Sequence, residues 1–370
     1  MSDEGYEMEY IKEAFETNWI APLGKNVTEF ENEMCDIIKC KAAVALSSGT
    51  AAMHMALKLA GIEAGDIVFC QSLTFSATAN PIIYEGAEPV FIDSDRETWN
   101  MSLSALKNAF EKYSRLGKLP KAVIVVHLYG IAAEMDEICK LCEEYDVQLI
   151  EDAAESLGTS YKGSMTGSFG KYSILSFNGN KIITSSGGGM LLCNGENAEE
   201  DAKKALFWST QSREPERYYQ HKEIGYNYRM SNIVAGIGRG QLKVLDKRVK
   251  QKQNIYKFYS NSFSDIKDIT MMPLRDECSN NNCWLSCMQI NESAKATPLD
   301  IQLALEAENI EARPVWKPMH LQPVFEQYDY IDNGGIAEKL FRQGLCLPSD
   351  TKTTEEELKR VADIVKKLWV

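Results

Sequence analysis

Seven short apolar runs, at 43–46, 67–70, 89–92, 122–127, 147–150, 172–177 and 189–193, punctuate the first half of this chain. They are rich in Val, Ile and Phe and are continuous rather than alternating, which is the pattern of strands buried on both faces. Helical stretches at 51–60, 103–113 and 135–145 fall between them. That βαβ rhythm predicts an α/β fold, a mostly parallel seven-stranded sheet flanked by helices. At 370 residues the chain is too long for one minimal core. The text from 230 to about 259 is helical and increasingly charged and reads as a long connecting helix. We therefore divide the chain into a large domain, 1–245, and a smaller C-terminal α+β domain, 246–370. The second contains a polar turn cluster at 279–282, a helix at 298–308, a Pro-punctuated loop at 313–323 and a closing amphipathic helix at 354–368.

Charge and composition narrow the partners. The 53 acidic and 40 basic residues leave a net charge of -13, which repels a phosphate backbone, so nucleic acid is not expected. No stretch approaches the roughly 20 apolar residues of a membrane span, and the start Met1-Ser2-Asp3-Glu4 has neither basic residues nor an apolar run, so a cytoplasmic protein without membrane insertion is expected. The 10 Cys then read as reduced thiols. Cys139 and Cys142 form a C-x-x-C inside a helical run with no second pair at zinc spacing, and the four His are scattered, so no metal site is expected. The glycines Gly236, Gly238 and Gly240 lie within helical text rather than after a strand, which favours close helix packing over a dinucleotide loop.

In an open α/β sheet, ligands collect at the carboxyl ends of the strands. Ser47-Ser48-Gly49-Thr50 leads from an apolar run into a helix, whose free N–H groups and dipole suit a phosphate; an ordinary helix cap has the same residues. Asp152 ends another run, where a carboxylate needs a cationic or N–H partner, or serves as a helix cap. Lys181 follows Ser176-Phe177-Asn178-Gly179-Asn180 and precedes the glycines Gly187 to Gly189; taken alone it is a surface lysine. Together with Phe75 these features form a set: a phosphate cradle, a ring stacker, a buried acid and a lysine. Pyridoxal 5'-phosphate needs that set for its phosphate, its ring, its pyridinium nitrogen and its Schiff base.

The motifs beginning at Ser47, Glu151, Ser176, Gly225 (Gly-Tyr-Asn-Tyr-Arg-Met) and Arg313 (Arg-Pro-Val-Trp-Lys-Pro-Met-His) carry a resemblance in family order from about Ile20 to the C-terminus. The chain resembles the DegT/DnrJ/EryC1/StrS nucleotide-sugar aminotransferases, pyridoxal phosphate enzymes of fold type I. The resemblance implies that Lys181 is the Schiff-base lysine, Asp152 the partner of the pyridine nitrogen and Phe75 the ring stacker. Gly49, Thr50 and Ser176 hold the phosphate, joined by Asn227 from the second subunit of a homodimer with shared active sites. Glu155 falls where many members have Gln or His near the ring's phenolic oxygen, and a carboxylate beside a phenolate is repelled unless a proton is shared. Ser-Phe-Asn-Gly-Asn-Lys181 and Gly-Tyr-Asn227-Tyr-Arg are similar to members that aminate carbon 4 of a UDP-linked 4-keto-6-deoxy-N-acetylhexosamine, with L-glutamate as donor, for surface glycan synthesis. Members that deoxygenate sugars replace the lysine with His, so Lys181 points to transamination; another nucleotide keto-sugar, or a sugar-nucleotide binding protein without activity, are the alternatives. For the sugar nucleotide an acidic protein must gather cations locally. The expected substrate residues are Arg213, His221, Lys222, Arg229, Trp316, Lys317 and His320, set against a plain surface loop at 209–229 and a rigid Pro-bounded connection at 313–318.

Overall fold

In the computed structural model, which describes residues 1–275 and 278–369, all seven runs are strands. They are β1 (Ala42–Leu46), β2 (Ile67–Gln71), β3 (Glu88–Ile92), β4 (Ala122–Val126), β5 (Gln148–Asp152), β6 (Tyr172–Ser176) and β7 (Gly189–Cys193). Across the sheet the order is β1-β7-β6-β5-β4-β2-β3, and an eighth strand of two residues, Tyr330–Ile331, adds to the edge beside β3. The sequence announces seven strands because two residues are too few to carry a period. Pairs β2/β3, β2/β4, β4/β5 and β5/β6 are parallel, while β7 is antiparallel to both β1 and β6. The carboxyl ends of β1, β2, β5 and β6 and the start of β7 thereby meet along one edge.

Helices cover both faces, as continuous apolar strands require. The first seven are α1 (Tyr6–Glu16), α2 (Lys25–Ile38), α3 (Gly49–Leu59), α4 (Ser76–Tyr84), α5 (Leu103–Arg115), α6 (Met135–Glu144) and α7 (Ala198–Ser209). On one face Ala52, Met55 and Ala56 of α3, Ala79 and Ile82 of α4 and Ala205 of α7 pack on Val68, Ile124 and Ile174. On the other, Leu106 and Phe110 of α5 and Ile138 of α6 pack on Phe69, Val123 and Val125.

The expected connecting helix is two helices, α8 (Asn232–Leu242) and α9 (Leu245–Phe263). Between them Val244 leaves helical geometry at φ -112 and ψ 11. The glycines of α8 are explained by packing: a Cβ on Gly238 would meet the Phe30 ring at 2.7 Å, and one on Gly240 the backbone of Glu7 at 2.6 Å. The C-terminal part adds a four-stranded antiparallel sheet, in the order Ile269–Met271, Ser286–Ile290, Gly344–Leu347, Arg313–Pro314. Helices α10 (Pro298–Glu306), α11 (Ile336–Gln343) and α12 (Glu355–Lys367) complete it, the last opened by the Thr354/Glu357 capping box. The buried carboxylate of Asp93, just after β3, accepts the amides of Ile336 and Ala337 at 3.1 and 2.9 Å, fastening the start of α11 to the main sheet. Among the described residues no helix is long and apolar enough to cross a membrane.

Candidate active site

At the β1 end, Ser48 caps α3, its hydroxyl accepting the Ala51 N–H at 3.0 Å. Gly49 and Thr50 are the first two helical residues, so their amides precede the intrahelical ladder and face outward. A Cβ on Gly49 would lie 3.0 Å from Ser176 Cβ and 3.3 Å from its hydroxyl, so only glycine leaves the cradle open there. The Gly187–Gly189 run serves the same turn from below, since a Cβ on Gly189 would sit 2.3 Å from the Ser48 carbonyl carbon. An open helix start next to a serine hydroxyl is the donor set for a phosphate monoester.

Asp152 is the last residue of β5 and is buried. Its Oδ2 accepts the Thr78 hydroxyl at 2.7 Å and its Oδ1 the Ala154 N–H at 3.1 Å; Thr78 in turn contacts Thr74 Oγ1 at 2.7 Å. Burial raises the Asp152 pKa, and the two hydrogen bonds and the nearby Lys181 charge pull it back toward the anion.

Lys181 closes a turn in which its N–H donates to the Asn178 carbonyl at 3.0 Å, and its side chain is 12% exposed. The Nζ lies 3.9 Å from Glu155 Oε1 and 4.1 Å from the centre of the Trp284 ring. Burial lowers the pKa of this amine, against the charges of Glu155 and Asp152. Glu155 is buried too, and burial pushes its carboxyl up to about 7 although the Lys181 charge and the Tyr129 N–H, donating to Oε2 at 2.6 Å, both oppose the shift. Tyr129 makes that bond from the left-handed region, at φ 54, a strained conformation for a buried non-glycine residue. Its hydroxyl accepts the Trp316 N–H at 3.1 Å. Phe75 is 57% exposed at the mouth, its ring 5.6 Å from Trp316.

The structure thus brings together Gly49, Thr50, Ser176, Asp152, Glu155, Lys181, Phe75 and Trp316. The other expected substrate residues, and Asn227, expected at the cofactor phosphate, make different contacts. Arg213, His221, Lys222 and Asn227 lie on a projecting arm, held by the bridges Thr210↔Asn227 and Arg213↔His221. There Arg213 rests on the Tyr219 ring, the His221 Nδ1 meets the Gln211 carbonyl at 2.8 Å, and Lys222 faces Glu214 at 3.9 Å. Arg229 is taken up by Glu31 and by the Ala45 carbonyl, which leaves it a brace between α2 and β1. His320 is half-buried between the Ser72 hydroxyl, 2.7 Å from Nδ1, and Glu338 of α11, and stacks on Tyr330 at 3.7 Å. Lys317 is half-buried in the same loop. Sequence reading misses Thr78, Tyr129 and Trp284; Thr78, in the first turn of α4, lies close after the Thr74-Phe75 pair that follows β2, and the other two carry no local signal.

Comparison with known proteins shows the family. The model of the DegT/DnrJ/EryC1/StrS aminotransferase family matches residues 2–366. A Bacillus subtilis (strain 168) protein provisionally designated pyridoxal phosphate-dependent aminotransferase EpsN is 52% identical over 368 residues, covering 99% of this chain and 93% of that protein. The GDP-perosamine synthase of Caulobacter vibrioides is 34% identical over 97% of this chain and 94% of its own length. The UDP-4-amino-4,6-dideoxy-N-acetyl-beta-L-altrosamine transaminase of Campylobacter jejuni is 35% identical over 68% of this chain and 66% of its own length. Among solved structures, a DegT DnrJ EryC1 StrS aminotransferase from Brucella abortus superposes with a TM-score of 0.90 at 27% identity, covering 98% of this chain and 95% of that one.

Proposed function

Since the chain belongs to the DegT/DnrJ/EryC1/StrS aminotransferase family and is a pyridoxal phosphate-dependent sugar aminotransferase, we propose that it moves the amine of L-glutamate to carbon 4 of a UDP-linked 4-keto-6-deoxy-N-acetylhexosamine. The observation that carries the reading is the buried Lys181 amine, set beside Glu155 and within the field of Asp152 at the strand ends, next to the open start of α3. The motif around Lys181 and the Campylobacter relative support carbon 4 and a uridine diphosphate. A GDP-linked keto-sugar is the second reading, favoured by the match to GDP-perosamine synthase along nearly the whole chain. The cysteines, none of them in a disulfide among the described residues, suit a reducing cytoplasm.

The residues present fit the cofactor. Gly49, Thr50 and Ser176 would hold its phosphate, Asp152 its ring nitrogen, Phe75 its ring face and Lys181 its aldehyde carbon. When bound, pyridoxal phosphate supplies a conjugated ring that accepts the electron pair left as a proton leaves the donor's α-carbon. The protein does the rest. Asp152, drawn toward the anion by Thr78 and Ala154, would hold a proton on the ring nitrogen. Burial lowers the pKa of the Lys181 amine, which favours the neutral form that would take a proton from glutamate's α-carbon and return one at the sugar carbon. Glu155, with a carboxyl that titrates near 7, is placed to share that proton. Trp284, Tyr129 and Trp316 wall this corner against water. We place Asn227 at the phosphate of the partner in a homodimer, and Arg213, Lys222 and Lys317 at the nucleotide's diphosphate.

The test is direct. Purified protein incubated with glutamate and either the UDP- or the GDP-linked 4-keto-6-deoxy sugar should release 2-oxoglutarate and yield the 4-amino sugar preferentially from the UDP substrate. Product from neither sugar would refute the substrate assignment. A yellow preparation that glutamate bleaches would exclude a protein that only binds sugar nucleotides.

A further inference from the structure

Three groups in this site, Glu155, Asp152 and Trp284, surround a single amine, and for Trp284 the exclusion of water does not account for its contact with that amine. The Lys181 ammonium has three donors, yet among the described residues its nearest carboxylate oxygen, Glu155 Oε1, is 3.9 Å away, beyond hydrogen-bond distance. The amine also sits over the face of Trp284, 4.1 Å from Nζ to the ring centre. Trp284 is itself 2% exposed, so this is a desolvated cation–π contact, the strongest setting for one. The same indole donates its Nε1–H at 2.7 Å to the carbonyl of Asn180, the residue that precedes Lys181. Asn282 fixes the tryptophan in turn: its Oδ1 accepts the Trp284 N–H at 2.8 Å, and its Nδ2 donates to the carbonyls of Glu155 and Leu157 at 2.8 and 2.9 Å. One side chain thus holds both the backbone and the amine of the lysine.

A transamination lysine is bonded to the cofactor in the resting enzyme and free in the interval when it must carry a proton. A buried free ammonium needs a seat, and among the described residues this one has no hydrogen bond. We propose that Trp284 is a positioning residue for the reaction, its ring face the seat of the Lys181 amine whenever that amine is free and its indole N–H the clamp on the turn that carries it. The proposal rests on the reading of Lys181 as the cofactor lysine. Of the titratable groups around the amine, Glu155 and Asp152 face it, and behind Glu155 burial holds the Tyr129 hydroxyl and the Cys287 thiol well above their ordinary values, hence neutral.

The aromatic face favours the ammonium over the neutral amine, so removing it moves the amine's titration down in pH. The measurement uses the holoenzyme converted to its pyridoxamine form with excess glutamate, in which Lys181 is free. Isocyanic acid, supplied as cyanate, labels only the neutral amine: the nitrogen bonds to the reagent's carbon, the proton passes to the reagent's nitrogen, and nothing leaves. Labelling of the Lys181 peptide is followed by mass spectrometry across pH, with exposed Lys12 as internal reference. The midpoint for Trp284→Leu should fall by about one pH unit, and that for Trp284→Phe, which keeps a weaker face, by less. The kcat of both variants should fall while KM for glutamate stays within twofold. Should Trp284→Leu fail to fold, Trp284→Phe decides, since it retains an aromatic of nearly the same shape. A cofactor-loaded variant whose midpoint and kcat match wild type overturns the role of Trp284 alone. A wild-type protein that takes up no pyridoxal phosphate overturns the reading beneath it as well.

Discussion

Replacing Glu155 by Gln tests the electrostatics of the site without substrate or cofactor. Burial lifts this carboxyl from an ordinary value of 4.5 to about 7. The native state therefore binds the proton more tightly than the unfolded state does. The associated stability is complete below the unfolded value and is lost as pH rises through the native one. A shift of that size corresponds to about 3 kcal/mol. A chain of 370 residues unfolds with an entropy near 0.8 kcal/mol per kelvin by the usual ~2.1 cal/mol/K per residue, so the loss amounts to about 4 °C in Tm. Glutamine keeps the shape and the acceptor for the Tyr129 N–H but does not titrate. The Tm of Glu155→Gln minus that of wild type should thus climb by about 3 °C between pH 5 and pH 8, where most of that loss falls. Without its partner carboxylate the Lys181 amine drops further in pKa, and because a lowered basic group gains stability as pH rises, that change adds in the same direction. The assay is thermal unfolding of the cofactor-free protein at one fixed concentration, since association would otherwise shift Tm. A difference that stays flat across this range would refute the idea that Glu155 is buried as a neutral acid at low pH.

Lys181→Ala should lose both the visible absorbance of the bound cofactor and turnover, checked by spectrum and product assay, because among the described residues Lys181 is the amine that acts on both Asp152 and Glu155. Thr78→Val removes one charge-assisted hydrogen bond from Asp152, and kcat should fall about tenfold or more while the fold persists, as measured by steady-state kinetics and circular dichroism. Gly189→Ala forces a methyl against the Ser48 backbone and should cost about 2 kcal/mol or more in urea unfolding, together with weaker phosphate binding. Mixed dimers of Lys181→Ala and Asn227→Asp chains should recover one working site, read as activity regained on mixing two inactive proteins.

The fold was legible because a buried parallel strand must be apolar on both faces, and seven such runs are written without interruption. The break between α8 and α9 was not, since both sides of Lys243-Val244 read as helix and only packing on α1 and α2 decides where the first one stops. The eighth strand is likewise set by position: Tyr330–Ile331 pairs with β3 because the amides at the start of α11 are anchored on Asp93. Such contacts span more than two hundred residues and leave no local pattern.

The site divides along the same line. Asp152 ends a strand, and Gly49 and Lys181 lie within five residues after one, so the sheet delivers them to one edge, and a reader of strands finds them. Trp284 reaches Asn180 from 104 residues away, and Thr159 and Asn282 form the hidden scaffold that puts it there, the Asn282 N–H donating to Thr159 Oγ1 at 2.9 Å. Arg229 shows the opposite error: beside a recognisable motif it looks free, but Glu31 of α2 takes both of its terminal nitrogens, a fact that depends on the packing of α2 against β1. A charge near a motif is therefore weak grounds for a ligand contact until its partner is known. A lysine buried without a hydrogen bond is stronger grounds, because an amine held at that electrostatic cost persists only where the surrounding fold or a function compensates for it.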